Sequence, residues 1–257
     1  MLTDIPFQID KTMYPLDGLI EKYGLTDYIR DYYAAVNGRL AMLYTEEDFY
    51  IAEDFTYEPW LSIMGGVDFS GKFTDSRLHE LLDKHIENDK YIAVYTNLEQ
   101  VAELLAEFSC FTYHENFLVA SILECREVDD SDIRLAEITD LPFIENTYVR
   151  SGHEQLLNRI REKQLWIAES ESGIKGYAGV HKDGSLGFEY VAENFRGNHI
   201  ATRLQHFVAG YMLKHAMMPY VMISEHNTAG KNLQHKLGSH FAKNLFYFFA
   251  KGPYVLE

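Results

Sequence analysis

The chain has 257 residues, 39 of them acidic and 23 basic, which gives a formal net charge of −16. Hydrophobic residues make up 47% and charged residues 24% of the sequence, which is typical of a globular protein and excludes a largely disordered chain. The net charge argues against general attraction to nucleic acid or anionic lipid, so we expect neither a nucleic-acid partner nor a membrane partner.

Hydrophobic periodicity in the first half predicts helices and strands in alternation. In chain order we expect a hairpin at 39–54, a helix at 78–86, a strand at 91–95, a helix at 98–108 and a strand at 117–122. The polar, charged stretch 126–131 follows and separates two better patterned halves. We therefore predict a first domain of residues 1–127 and a second of residues 128–257.

The second half shows a similar alternation. After a short strand near residue 133, the pattern predicts helices following Pro142 and at 152–163, a hairpin at 164–181, a strand at 186–191, a helix at 200–215, a strand at 220–224, a helix at 229–237 and a strand at 244–250. Gly238 stands where the end of a helix favours a positive φ. Strands alternating with helices predict an α/β sheet.

The two halves also share a sequence repeat. Phe69–Leu78 and Phe195–Leu204 have phenylalanine, glycine, a hydroxyl residue, arginine and leucine in the same register. In both halves a strand, an asparagine, a short helix and an aromatic strand follow, with Asn97 and Asn227 in corresponding places. The pattern favours duplication of one unit, and convergence on a similar α/β layout is the alternative.

The segment 189–204 carries the strongest chemical signal. A strand ends near Val191, the chain turns through Arg196 and Gly197, and a helix begins at once. The free N–H groups and the dipole of a helix N-terminus suit an anion such as a pyrophosphate, and Arg203 and Lys231 could contact further phosphate oxygens. The alternative is an ordinary corner between a strand and a helix.

Two signatures in this half resemble the GNAT superfamily of N-acetyltransferases. The acetyl-CoA motif of that family corresponds to Arg196–Ala201, and its later asparagine and Lys-Leu-Gly correspond to Asn227 and Lys236–Gly238. The resemblance implies an α/β (α+β) fold of two tandem GNAT-like domains, with a mixed, mostly antiparallel sheet flanked by helices. It implies acetyl-CoA as co-substrate, no metal, and cofactor contacts at Val191, Arg196, Gly197, Asn198, His199, Ile200, Ala201, Thr202, Asn227 and Lys231. A leading domain before such a module also resembles, weakly, the glycine N-acyltransferase branch.

The sequence departs from the family pattern in both halves. His199 replaces the middle glycine of the acetyl-CoA motif, so its side chain has to turn outward or narrow the anion site. Gln234 occupies the position of the tyrosine that protonates the leaving thiolate in many members, and an amide is not an acid. In the first half Ser70 and Asp75 stand at the positions of Arg196 and Ala201, so we expect that copy to have lost cofactor binding.

The catalytic candidates lie on two strands of the second half. Glu189, two residues before Val191 on the same strand, is the candidate base for an attacking amine, with a surface carboxylate as the alternative. Tyr190 and Ser224 are candidate proton donors, alongside Tyr177 and His226, or the thiolate takes a proton from water. The backbone N–H near Val191 could polarise the thioester carbonyl.

These features together favour an acetyl-CoA-dependent N-acyltransferase acting on an amine. Residues 190–257 contain seven basic and three acidic residues, so a positive segment accompanies an anionic body that favours a cationic acceptor. The acceptor is a small amine, an amino-acid-like amine or a protein amine, and a homodimer is possible. The alternatives are a non-catalytic CoA-binding or regulatory protein and an interaction protein that binds no nucleotide. Two cysteines and an N-terminus without a signal-peptide pattern predict a cytoplasmic protein.

Overall fold

The computed structural model describes residues 15–57, 59–67, 69, 74–86, 91–149 and 151–251. The chain divides into two compact units. Unit 1 comprises Met1–Val119, Ile223–His226 and Phe241–Tyr254, and unit 2 comprises Ala120–Met222, Asn227–His240 and Val255–Glu257.

Helices and strands alternate through most of the described chain. The helices are α1 (Leu16–Tyr23), α2 (Ile29–Val36), α3 (Asp75–Ile86), α4 (Glu99–Leu105), α5 (Leu141–Thr147), α6 (His153–Arg161), α7 (Ile200–Lys214) and α8 (Thr228–Leu237). The strands are β1 (Leu40–Glu46), β2 (Phe49–Asp54), β3 (Trp60–Gly65), β4 (Ala93–Thr96), β5 (Tyr113–Ser121), β6 (Ile133–Leu135), β7 (Leu165–Ser170), β8 (Gly173–Val180), β9 (Ser185–Val191), β10 (Tyr220–Ser224), β11 (His240–Phe241) and β12 (Phe246–Ala250).

Unit 1 is built on a mixed sheet. Strands β1, β2 and β3 pair antiparallel in sequence order, and β3 then pairs parallel with β4 after the crossover through α3. Strand β12 pairs antiparallel with β4 on one side and with β5 on the other. Every residue of β2 and β3 is buried, because helices and neighbouring strands cover them completely.

Unit 2 repeats this order of pairing. Strands β6, β7, β8 and β9 pair antiparallel in sequence order, and β9 pairs parallel with β10 after the crossover through α7. Both units therefore contain three consecutive antiparallel strands, a crossover helix and a parallel strand, namely β1 to β4 in unit 1 and, in unit 2, β7 to the first three residues of β10. The predicted α/β class and the mixed, mostly antiparallel sheet flanked by helices are confirmed.

The last strand of the chain belongs to unit 1. We predict a second domain of residues 128–257 from the sequence, whereas β12 makes its hydrogen bonds to β4 and β5 and is counted with the first half of the chain. The division into compact units thus differs from a single cut at residue 127, because a strand can form its hydrogen bonds with strands that are distant in the sequence. The boundary between residues 127 and 128 remains a prediction about the two domains of the chain.

The two asparagines of the sequence repeat have different roles in the two units. Asn97 is buried in unit 1, where its side chain donates to and accepts from the backbone of Gly65 at 3.0 Å each. Asn227 instead caps α8, because its Oδ1 accepts the N–H of Gly230 at 2.9 Å. Matching positions in the repeat therefore stabilise different loops.

A buried ionic cluster lies within unit 1. The guanidinium of Arg30 contacts Asp54 at 2.5 Å and Asp31 at 3.5 Å, and all three side chains are almost fully buried. The same guanidinium lies over the rings of Trp60 and Tyr95, each at 4.8 Å. Burial raises the pKa of Asp31, and the charge of Arg30 opposes that rise. The charges of the cluster pair with one another, so we regard it as a structural feature of unit 1.

Candidate active site

Strand β9 changes its neighbours partway along its length. It pairs with β10 at two positions, Ser185 with Tyr220 and Leu186 with Val221. On the other side, its pairing with β8 is interrupted by a bulge, where the buried Phe188 has a φ of +49°. Beyond Leu186, no residue of β9 pairs with β10 within the described chain, so this edge of the strand is open to a ligand, although the carbonyl of Val191 accepts a hydrogen bond from Arg196.

The bulge places Glu189 against helix α7. Gln205 of that helix, itself buried, donates its Nε2–H to Oε2 of Glu189 at 2.6 Å. Burial raises the pKa of Glu189 to about 7, and the hydrogen bond from Gln205 limits the rise. A carboxyl group with a pKa near neutrality can both accept and return a proton at physiological pH, which is the property of a general base.

Gln205 is in turn held by two more polar side chains. Gln234 on α8 donates its Nε2–H to Oε1 of Gln205 at 2.7 Å, and Ser239 donates its hydroxyl to Oε1 of Gln234 at 2.7 Å. We call Glu189, Gln205, Gln234 and Ser239 the polar relay. Gln234, where many family members have an acidic tyrosine, is thus a buried link between two side chains.

The two other catalytic candidates have different environments. Tyr190 is partly buried and stacks on Tyr177, with 5.4 Å between ring centroids. Ser224 is buried at the end of β10 and accepts the backbone N–H of His226 at 3.4 Å. Because Ser224 belongs to unit 1 while Glu189 and Tyr190 belong to unit 2, the three are not grouped within one unit. Their roles remain predictions.

The start of α7 has the geometry of an anion site. The helix begins at Ile200, so the N–H groups of Ile200, Ala201 and Thr202 have no acceptor within the helix. The preceding turn exposes Arg196, whose Nε donates to the carbonyl of Val191 at 3.2 Å. Fifteen residues of helix add a partial positive charge at this end.

Left-handed backbone at two positions produces this turn. Gly197 has a φ of +82° and His199, which precedes the helix, has a φ of +58°. Asn198 between them and both neighbours are exposed, so the imidazole of His199 points away from the core. His199 thus adopts a left-handed backbone conformation of the kind that favours glycine, which is the residue of the motif that it replaces.

Three further predicted anion contacts are placed differently. Arg203 binds Asp132 at 2.6 Å, as does Lys175, and although burial raises the pKa of Asp132, these two partners hold it below its usual value. Arg203 is therefore engaged on its own unit and is a poor candidate for a phosphate contact. Asn227 has its Oδ1 engaged in capping α8, and Lys231 lies partly buried in the first turn of that helix.

Ser70 of the first copy lies outside the described residues, and Asp75 is the first residue of α3. Within the described ranges, histidine, cysteine and carboxylate side chains form no group of three or more that could hold a metal ion. No helix in the described part of the chain is both long enough and apolar enough to cross a membrane.

The residues that sequence reasoning missed are Gln205 and Ser239. Gln205 follows Leu204 on a helix whose apolar face is easily read, and a glutamine beside that face is usually placed at its polar border. Its spacing from Glu189 across two elements has no signature in the sequence. Only the register of β9 against α7 brings the two side chains together.

A known family model matches part of the second half of the chain. Residues 137–241 match the family model of the acetyltransferase (GNAT) domain. No curated protein sequence matches the chain. The expected resemblance of the second half to the GNAT superfamily is thereby confirmed, and the narrower resemblance to the glycine N-acyltransferase branch remains a prediction.

Solved structures are similar to most of the chain at low sequence identity. A Drosophila protein has a TM-score of 0.66 at 11% identity, over 91% of this chain and 94% of its own. A GCN5-related N-acetyltransferase from Kribbella flavida has a TM-score of 0.55 at 8% identity, over 90% and 97% of the two chains. A GNAT-family acetyltransferase from Colwellia psychrerythraea has a TM-score of 0.51 at 12% identity, over 94% and 98%. These similarities concern the fold, and they extend over both compact units.

The backbone at His199 leads to a stability prediction. We expect His199→Gly to change the free energy of unfolding by less than about 0.5 kcal/mol, because relief of the left-handed strain is offset by the entropy of glycine. The β-branched His199→Val should lower it by about 1–2 kcal/mol. Urea unfolding measures both. A His199→Val variant as stable as the wild type would show that position 199 does not hold the left-handed conformation.

Proposed function

We propose, for a chain whose residues 137–241 match the family model of the GNAT acetyltransferase domain, that unit 2 binds acetyl-CoA and transfers its acetyl group to an amine. The observation that carries the proposal is a single juxtaposition: a carboxyl group with a pKa near 7 on β9, two residues before the loop that leads into an exposed helix N-terminus. The carboxyl group suits an amine that must lose a proton, and the helix N-terminus suits a thioester that carries phosphate groups.

The residues at the start of α7 fit a phosphate group. The turn at Gly197 and His199 exposes the amides of Ile200, Ala201 and Thr202, and the small side chain of Ala201 leaves room beside them. Arg196 adds an exposed positive charge at the protein surface, and Asn198, Asn227 and Lys231 are further candidate contacts. The backbone of Val191, at the end of β9 away from its pairing with β10, is the proposed contact for the pantetheine arm.

Acetyl-CoA, when bound, supplies an activated acetyl thioester. Glu189, directly or through a water molecule, takes a proton from the ammonium form of the acceptor so that the nitrogen lone pair is free to attack. The protonated Glu189 stays within the polar relay. The nitrogen loses its second proton as the amide forms, and CoA would be released with that proton on its sulfur. Tyr190 and Ser224 remain candidates to return a proton to sulfur. Gln234, which is hydrogen-bonded to Gln205 and Ser239, has an amide and so supplies no acid at its position.

The acceptor is proposed to be a cationic amine, either a small molecule, an amino-acid-like amine or a protein amine. The net charge of −16 attracts cations from a distance and disfavours acceptors that carry a carboxylate. The cytoplasm is the proposed location, and a homodimer is the proposed assembly.

A second candidate function is a CoA-binding protein without catalytic activity. The replacement of the acidic tyrosine by Gln234 and of the motif glycine by His199 favours it. Release of CoA thiol from acetyl-CoA in the presence of a panel of amines separates the two functions. Binding without turnover on any amine would favour the second candidate.

Calorimetric titration with acetyl-CoA tests the proposed site. We expect Arg196→Glu to weaken binding at least about tenfold, because a repulsive charge replaces a favourable one beside the phosphates. Arg161→Glu, the same charge change at an exposed position on α6, is the matched control and should bind like the wild type. If the wild type does not bind acetyl-CoA, the proposed function is wrong, and equal losses in both variants would move the site away from Arg196.

The pH dependence of acetyl transfer tests the role of Glu189. We expect kcat/KM to rise as pH passes through about 7, because the base is active only after Glu189 loses its proton. Glu189→Gln keeps the acceptor for Gln205 but should lower the rate by about 100-fold or more and remove that inflection.

The same substitution has a predicted effect on stability. Since folding raises the pKa of Glu189 from its ordinary 4.5 to about 7, its contribution to stability is full below the lower value and is lost as pH rises through the higher. Glu189→Gln should therefore be more stable than the wild type at pH 8, by on the order of 2 kcal/mol.

In the kinetic test, a Glu189→Gln variant with an unchanged rate and an unchanged pH profile would contradict the assignment of Glu189 as the base.

A further inference from the structure

The polar relay has a defined direction. Ser239 is one end, and its hydroxyl donates to Gln234, whose amide nitrogen donates to Gln205, whose amide nitrogen donates to Glu189, at 2.7, 2.7 and 2.6 Å. Each glutamine thus accepts through oxygen and donates through nitrogen. The last group in the sequence is an N–H donor aimed at a carboxyl oxygen, and such a donor stabilises the charged form of a carboxyl group.

The two glutamines are placed as structural parts of this arrangement. Gln205 and Gln234 are both almost fully buried, on α7 and α8, where an unpaired amide would be costly. Burial and the Gln205 amide are the influences on the pKa of Glu189 within the described chain, without a contribution from a charged side chain. The orientation of one amide therefore has a direct effect on the carboxyl group.

We propose that Gln205, Gln234 and Ser239 are positioning residues, which fix the orientation of Glu189 and favour its carboxylate form before the amine is deprotonated. The inference rests on the proposed function for the role of Glu189 as a base. It assigns Gln234, at the position of the missing tyrosine acid, to the support of that base, and it leaves Tyr190 and Ser224 as the candidates for returning a proton to sulfur.

The relay also accommodates the proton that Glu189 receives. When the amine nitrogen gives up its proton, the O–H bond forms on Glu189 and the N–H bond of the ammonium breaks. Rotation of the two amides then lets Glu189 donate to Oε1 of Gln205, Gln205 donate to Oε1 of Gln234, and Gln234 donate to the hydroxyl oxygen of Ser239. All hydrogen bonds persist in the reversed direction, so neither protonation state leaves a buried amide without a partner.

Carbon-13 NMR of glutamate carboxyl groups, with Glu189→Gln for assignment, measures the titration of Glu189 without any need for turnover. Gln205→Met removes the donor while keeping an unbranched side chain, and should raise the pKa of Glu189 by about one unit. Gln234→Met should raise it less, because Gln205 loses only the partner that orients it, and Ser239→Ala should raise it least. Gln155→Met is the matched control, since its amide on α6 has no hydrogen-bond partner in the described chain, and should leave the titration unchanged.

A graded upward shift in that order supports the proposal. It is overturned if Gln205→Met leaves the titration of Glu189 where it is in the wild type, or if Gln155→Met shifts it equally. Should Gln205→Met fail to fold, Ser239→Ala, at a partly buried position outside the helix, gives the same test with a smaller shift.

Kinetics with acetyl-CoA and spermidine as the amine probe connects the relay to the reaction. The inflection of kcat/KM near pH 7 should move upward in Gln205→Met by the same amount as the NMR titration, with the affinity for acetyl-CoA unchanged. A graded NMR shift in a protein that does not bind acetyl-CoA would leave the relay as an electrostatic support and refute the proposed function. Normal turnover with an unshifted pH profile would refute the relay and leave the proposed function intact.

Discussion

The short parallel pairing between β9 and β10 is the constraint on which the site depends. Two register positions join the strands, after which β9 continues through a bulge at Phe188. A strand paired along both sides would have its backbone saturated, and Glu189 would follow the regular alternation of the sheet. The bulge and the early end of the pairing together leave the end of β9 with available backbone groups and direct Glu189 towards α7.

The same constraint relates the proposed base to the proposed anion site. The turn between β9 and α7 is short, so a strand end and a helix start are held close together in one unit. Gly197 and His199 complete the turn with left-handed backbone, which exposes the helix amides. Within the polar relay, Gln205 of α7 contacts both Glu189 and Gln234 of α8. Unit 2 thus combines a group that can accept a proton with a surface that suits phosphate, and the juxtaposition follows from local backbone geometry.

Sequence patterns predicted the parts of this arrangement whose signal is local. Strand β10 was predicted at its observed bounds, and Gly238 has the expected positive φ of +70°. Strand β3 was missed, because Trp60–Gly65 is buried on both faces and lacks alternation. The partners of β12 and the contact between Glu189 and Gln205 were not predictable either, since both depend on register between elements distant in sequence. The repeat is supported by the equal order of pairing in β1 to β4 and β7 to β10, and duplication remains the hypothesis that explains it.

The central claim is that the start of α7 in unit 2 receives the phosphates of acetyl-CoA. Backbone amide NMR of nitrogen-15-labelled protein during titration with acetyl-CoA tests it most directly, because it reports the position of binding residue by residue. The account predicts saturable shifts that are largest at the amides of residues 197–202, with smaller ones near Val191. Saturable binding that leaves those amides unshifted and perturbs residues of unit 1 instead would contradict it.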